Sequence, residues 1–124
     1  MSEVLLVDDS QVYQEAISDL LKRNGLKVVI ACDGVEALEK IQQSSPDLVV
    51  LDVVMPRMNG YEVCRKLKAD AKTRNVPVVM CSSKNMEFDR YWALKNGADA
   101  YITKPFEEVE LIGTIKQLLR NLKK

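Results

Sequence analysis

The stretch that decides the fold is Asp47-Leu48-Val49-Val50-Leu51-Asp52. Its four central residues are all apolar, with none of the alternation expected of a strand that has one face in water. An unbroken run of this kind, rich in Val and Leu, suits a parallel strand covered on both sides. Comparable runs precede it at Val4-Leu5-Leu6-Val7 and Lys27 to Ala31, and follow it at Val76 to Cys81 and the shorter Ala100-Tyr101-Ile102.

Amphipathic stretches fill the gaps. The first spans about Ser10 to Asn24, with Ser10 as its N-cap and Gly25 just past its end. The second follows Asp33 and stops before Pro46; Glu36 stands three residues after Asp33, the spacing of a capping box. The third follows Asn59, with Glu62 three residues on. The fourth covers Met86 to Asn96 and halts at Gly97, and the fifth covers Glu107 to Asn121. In the fifth, Leu111, Ile112, Ile115, Leu118, Leu119 and Leu122 form one apolar stripe. Lys116, Arg120, Lys123 and Lys124 gather at its C-terminal end, where they oppose the helix dipole; a solvated basic end explains them better than a nucleic-acid patch.

A strand-helix unit repeated five times predicts an α/β fold, a doubly wound parallel sheet with helices on both faces. Its 124 residues make one domain, and an apolar content of 47% builds a core without disulfides or structural metal. Lys+Arg and Asp+Glu both number 18, which argues against direct nucleic-acid binding or a polybasic membrane surface. There is no basic leader and no apolar run long enough to span a bilayer, so a cytoplasmic protein is expected. Cys32, Cys64 and Cys81 are odd in number and lack C-x-x-C spacing, and read as buried reduced thiols. There is no histidine, which excludes Ser-His-Asp and Cys-His catalysis, imidazole metal ligands and a phosphohistidine carrier.

In doubly wound sheets ligands bind beyond the carboxyl ends of the strands. There the sequence places Asp8 and Asp9 after the first run, Asp52 after the third, Ser82 and Ser83 after the fourth, and Thr103 and Lys104 after the fifth. Any one of these acids alone reads as a turn former or helix cap. As a set on one edge they repel one another and call for a hard divalent cation, for which Mg²⁺ fits. Beside an ammonium and a hydroxyl, such an ion defines a phosphoryl-binding site. With no imidazole, the nucleophile is a carboxylate; Asp52, alone after the central run, is best placed, and Asp8 and Asp9 serve better as metal ligands.

The motifs V-L-L-V-D-D-S, P-D-L-V-V-L-D-V-V-M-P-R-M-N-G, V-P-V-V-M-C-S-S and G-A-D-A-Y-I-T-K-P-F stand in order along the chain. With them the whole sequence resembles the receiver domain of bacterial two-component response regulators. The resemblance implies a flavodoxin-like (βα)5 sandwich with strand order 2-1-3-4-5. It implies that Asp52 accepts a phosphoryl group from a partner kinase's phosphohistidine, and that Asp8, Asp9, Asp52 and the backbone carbonyl of Val54 hold Mg²⁺, with Mn²⁺ as a substitute. It assigns Lys104 to a phosphoryl oxygen, Ser82 to the switch hydroxyl and Tyr101 to an aromatic switch that turns inward on phosphorylation. It also implies a cis Lys104-Pro105 bond.

The partners implied are a sensor histidine kinase or phosphotransfer protein and a downstream effector, met through the face of the fourth helix, fifth strand and fifth helix, on or near which Arg90, Leu94 and Tyr101 fall. The chain is expected to be a monomer or weak dimer and no enzyme beyond its own phosphorylation and dephosphorylation. It reads as a stand-alone receiver without an output domain, similar to CheY-type and pilus-motility regulators. Ser82 stands where Thr is commoner in the family, which loosens its packing toward Tyr101. Val54 and Lys84 hold positions that influence acyl-phosphate lifetime there; Val54 offers no hydrogen bond to attacking water, so slower hydrolysis than with an amide is expected. Phe88, Tyr91 and Trp92 share a face of the fourth helix, read as packing with at least one of Tyr91 and Trp92 buried, against a docking patch. Competing readings are a phosphotransfer intermediate, a pseudo-receiver that binds without phosphorylation, and a haloacid-dehalogenase-type phosphatase. The last is disfavoured because Asp52 lacks an acid two residues on and a Thr four residues on.

Overall fold

The computed structural model describes residues 2–122; Lys123, Lys124 and the side chain of Leu122, assigned above to the fifth helix, lie outside the described residues. Strands and helices alternate: β1 (Glu3–Val7), α1 (Gln11–Arg23), β2 (Lys27–Ala31), α2 (Gly34–Ser44), β3 (Leu48–Leu51), α3 (Gly60–Ala69), β4 (Val78–Ser82), α4 (Glu87–Lys95), β5 (Ala100–Thr103) and α5 (Glu108–Leu122). The sheet is parallel in the order β2-β1-β3-β4-β5, the flavodoxin-like arrangement. β4 starts two residues later than its apolar run. Pro77 has no N–H to give the ladder, and the Val76 N–H is spent on the Thr73 carbonyl in the preceding turn.

Successive side chains of a strand point to opposite faces. Leu5, Val7, Val49, Leu51, Val78 and Met80 pack with Ala37, Ile41, Val63, Leu67 and Ala93, from α2, α3 and α4. Val4, Leu6, Leu48, Val50, Val79, Cys81 and Ile102 pack with Ile17, Leu21, Leu111 and Ile115, from α1 and α5. Every residue of β3 is therefore buried, which is why its sequence shows no alternation.

The helix starts follow their caps. The Ser10 hydroxyl accepts from the Tyr13 N–H, Asp33 from the Glu36 N–H and Asn59 from the Glu62 N–H. Glu36 does not complete a capping box on Asp33; its carboxylate reaches one residue further back, to the Cys32 N–H at 2.6 Å. α4 opens on Met86, whose side chain has no oxygen, and the Asp89 carboxylate closes back on the Met86 N–H at 3.1 Å.

Two expectations about packing fail. Phe88, Tyr91 and Trp92 are all exposed, so neither Tyr91 nor Trp92 is buried. α4 has nine residues and turns only Asp89 and Ala93 to the core; Phe88 and Trp92 stack on each other outside it, ring centroids 6.1 Å apart. Cys32 is exposed, because it follows the end of the edge strand β2, whereas Cys64 and Cys81 are buried as expected. No helix among the described residues is long and apolar enough to cross a membrane.

Gly60 opens α3 against the end of β3, its N–H donating to the Val53 carbonyl at 2.8 Å. A Cβ at this position would run into the Asp52 carbonyl oxygen, a backbone atom that cannot swing aside. Gly60→Ala is therefore expected to lower stability by about 3 kcal/mol, the upper part of the usual range for point substitutions. Urea unfolding should show a clearly lower midpoint; an unchanged midpoint would contradict this packing.

Candidate functional site

The sheet register brings the acids together. Val7 of β1 lies beside Leu51 of β3, so the next residues, Asp8 and Asp52, leave the sheet as neighbours. The Asp8 N–H still donates to the Ala31 carbonyl and the Asp52 N–H to the Val7 carbonyl, which fixes both backbones as the strands end. Asp8 and Asp52 are buried and Asp9 is exposed, and one carboxylate oxygen from each lies within 4.8 Å of the other two.

Among the described residues, the Lys104 ammonium pairs with Asp8 and Asp52. The Lys104 N–H donates to the Ser82 carbonyl, which carries the chain one residue past β5 before the cis Lys104-Pro105 bond. The side chain returns over the sheet edge. Its ammonium donates to Asp8 at 2.6 Å and approaches Asp52 at 3.4 Å, with the lysine 7% exposed. Three carboxylates against one ammonium leave a formal charge of −2. Two like charges about 4 Å apart repel by roughly 4 kcal/mol at the effective dielectric of a protein surface. Backbone groups offset part of this: the Ser10 N–H donates to Asp8, and the Val53 and Val54 N–H groups to Asp52.

Burial is the main cause raising the Asp52 pKa above the ordinary aspartate value; the Asp8 charge adds to it, and Lys104 and the Ser82 hydroxyl oppose it. Burial alone would lower Lys104, but its hydrogen bond to Asp8 and the charge of Asp52 outweigh that and leave it raised. Burial also pushes the Cys64 thiol up to about 11 and the Cys81 thiol up to about 12, so neither is a nucleophilic thiolate at neutral pH.

Ser82 is fully buried at the end of β4 and its hydroxyl accepts from the Lys84 N–H at 3.3 Å. The same hydroxyl favours the ionised forms of both Asp52 and Tyr101. The Tyr101 ring is inward, 5% exposed, and its hydroxyl donates to the Lys84 carbonyl at 2.7 Å; this is the position that the resemblance links to phosphorylation. Arg90 of α4 lies over that ring and donates to the Tyr101 carbonyl, and Leu94 is exposed on the same helix. Val54 is half exposed beside the acids.

Sequence reasoning missed two contacts. Arg57, in the loop after β3, has a φ of 68° and donates through two nitrogens to Asp33, at 3.0 and 2.7 Å, tying this loop to the start of α2. Tyr13 presents its ring face to the Lys104 ammonium. Nothing in local sequence ties these residues to their partners, which lie far along the chain.

This strand order, with acids at the ends of β1 and β3 and a lysine after β5, defines a class. The chain belongs to the response regulator receiver domain family, whose description its residues 4–116 match. It is 40% identical over 114 residues to protein PilG of Pseudomonas aeruginosa, covering 92% of this chain and 84% of that one. It is 36% identical over 119 residues to protein PilH of the same organism, covering 96% and 98%. Among solved structures it is similar to the receiver domain of the sensor histidine kinase PA1611 of P. aeruginosa, with a TM-score of 0.88 and 29% identity over 95% of this chain and 97% of that one. That structure carries a magnesium ion coordinated in its active-site cleft.

The raised Asp52 pKa carries a sign for stability. A carboxylate whose folded pKa lies above its unfolded one supports folding below the ordinary aspartate range, and that support is lost as the pH rises through the folded value. At neutral pH the ionised group is a net cost. Asp52→Asn in the presence of EDTA is thus expected to raise the Tm at pH 7 by about 4 °C, on the order of 1 kcal/mol. The difference should shrink as the pH falls through the carboxylate range; a Tm at pH 7 below that of the wild type would contradict the assignment.

Proposed function

We propose that this receiver is a phosphorylation-activated switch in which Asp52 accepts a phosphoryl group from the phosphohistidine of a sensor kinase or phosphotransfer protein. The observation that carries the reading is the juxtaposition of the Asp8, Asp9 and Asp52 carboxylates with the Lys104 ammonium.

The donor set suits a hard divalent cation: all three groups are carboxylates, no thiol or imidazole is among them, and their charge exceeds that of Lys104. Asp8, Asp9, Asp52 and the backbone carbonyl of Val54 would hold Mg²⁺, or Mn²⁺ in its place; the magnesium in the cleft of the related PA1611 receiver supports this. When bound, the ion would neutralise phosphoryl oxygens as negative charge builds on them.

The protein's own groups do the rest. A carboxylate oxygen of Asp52 attacks phosphorus in line; the phosphorus–nitrogen bond of the donor breaks, and the leaving imidazole takes up a proton. The product is an acyl phosphate. Lys104, already within reach of Asp52, turns its ammonium to a phosphoryl oxygen. Hydrolysis reverses the modification: water adds to phosphorus, inorganic phosphate leaves, and the Asp52 carboxylate is restored. These steps make the chain a catalyst of its own phosphorylation from the donor and of its own dephosphorylation.

Output follows from Ser82. A phosphoryl group on Asp52 draws the Ser82 hydroxyl, and the loop of residues 83–86 moves with it. Because the Tyr101 hydroxyl is bonded to the Lys84 carbonyl, that movement shifts the balance between inward and outward ring positions and reshapes the face of α4, β5 and α5. A downstream effector protein reads the change as altered affinity.

Intact-protein mass spectrometry after incubation with acetyl phosphate tests this. Wild type with Mg²⁺ is expected to gain the mass of one phosphoryl group, and Asp52→Asn, or wild type with EDTA, to gain none. A wild type that takes up nothing, or an Asp52→Asn variant labelled at full yield, would overturn the reading.

A further inference from the structure

The Lys104 ammonium has three N–H donors and is buried. Asp8 takes one and Asp52 faces a second. Its other neighbour among the described residues is the face of Tyr13, 3.9 Å from nitrogen to ring centroid. This is close for a cation over an aromatic ring, an attraction that is strongest where water is excluded. The backbone of Tyr13 is held where its N–H donates to the Ser10 hydroxyl at the start of α1. Phe106, two residues beyond Lys104, packs against the ring with centroids 6.5 Å apart.

We propose that Tyr13 is a positioning residue for Lys104: its ring face holds the ammonium over the carboxylates while leaving it free to exchange one oxygen partner for another. The inference rests on the phosphoryl-transfer reading, in which Lys104 must pass from carboxylate to phosphoryl oxygen. A charged group in the place of Tyr13 would serve badly. A carboxylate would add a further negative charge and hold the cation by a competing bond. An aliphatic side chain would leave one face of a buried ammonium without compensation, so the lysine would turn toward water. A ring offers attraction without a directed bond. The long Lys104 side chain pivots on it when the phosphoryl group arrives, and less rotamer freedom is lost at that moment.

The test compares wild type, Tyr13→Phe and Tyr13→Leu in two assays. In the first, phosphoramidate at saturating Mg²⁺ phosphorylates each protein and the rate is followed by mass spectrometry. Tyr13→Leu is expected to slow the step about tenfold, with Mg²⁺ affinity changed by less than about twofold, and Tyr13→Phe, which keeps the ring face, to restore the rate. In the second, metal-free protein is unfolded in urea in a double-mutant cycle of Tyr13→Leu with Lys104→Met. A coupling of about tenfold in the unfolding constant is expected. Equal rates for wild type and Tyr13→Leu, a Tyr13→Phe variant as slow as Tyr13→Leu, or a cycle without coupling would each overturn the proposal. Tyr13→Met replaces Tyr13→Leu if the latter does not fold. A wild type that takes up no phosphoryl group would defeat the function proposed above, while the metal-free cycle still decides whether Tyr13 and Lys104 act together.

Discussion

Repulsion among the carboxylates of Asp8, Asp9 and Asp52 is the constraint on which the rest of this structure depends. Two of them are buried, and among the described residues it is the Lys104 ammonium that pairs with these two. A globular fold does not ordinarily gather acids in this way, since each buried charge costs solvation that its neighbours make harder to recover. The sheet enforces the arrangement. β1 and β3 are adjacent and parallel, their last residues are in register, and an acid follows each. The core on both faces of the sheet supplies the stability that this pocket consumes.

The groups around the acids make sense as a response to that tension. Lys104 comes from the far edge of the sheet and stays raised in pKa despite its burial, which keeps it charged throughout the physiological range. Backbone N–H groups of Ser10, Val53 and Val54 stabilise carboxylates without adding mobile charge. In the proposed switch, Ser82 and Tyr101 would form the route outward. The hydroxyl of Ser82 favours the ionised forms of Asp52 and Tyr101, and the Tyr101 hydroxyl is anchored on the loop that follows Ser82. A new charge on Asp52 would therefore be felt first at β4, then in the loop, then on α4.

Most of the framework was legible in the chain. The unbroken apolar runs mark strands covered on both sides, and Ser10, Asp33 and Asn59 mark helix starts whose hydrogen bonds are all formed. Asp8, Asp9, Asp52 and Lys104 were legible because chemistry concentrates where strands end, though the strand order came from family resemblance and not from local pattern. What escaped is tertiary. The spacing of Phe88, Tyr91 and Trp92 shows a shared helix face but not which way it points, and the core takes the small Ala93 instead. Cys32 is apolar enough to expect inside, yet it follows the end of an edge strand. Tyr13 meets Lys104 from the opposite end of the chain, so no window of sequence contains the pair.

The central claim is that the crowded acids form a divalent-cation site. Calorimetric titration of the wild type and of Asp9→Asn with magnesium chloride tests it most directly, because Asp9 is exposed and its loss leaves the packed core untouched. The account predicts binding of one ion by the wild type and at least about tenfold weaker binding by the variant, the usual scale for losing one charged partner of a cation. No saturable uptake by the wild type, or equal affinity in the two proteins, would contradict it.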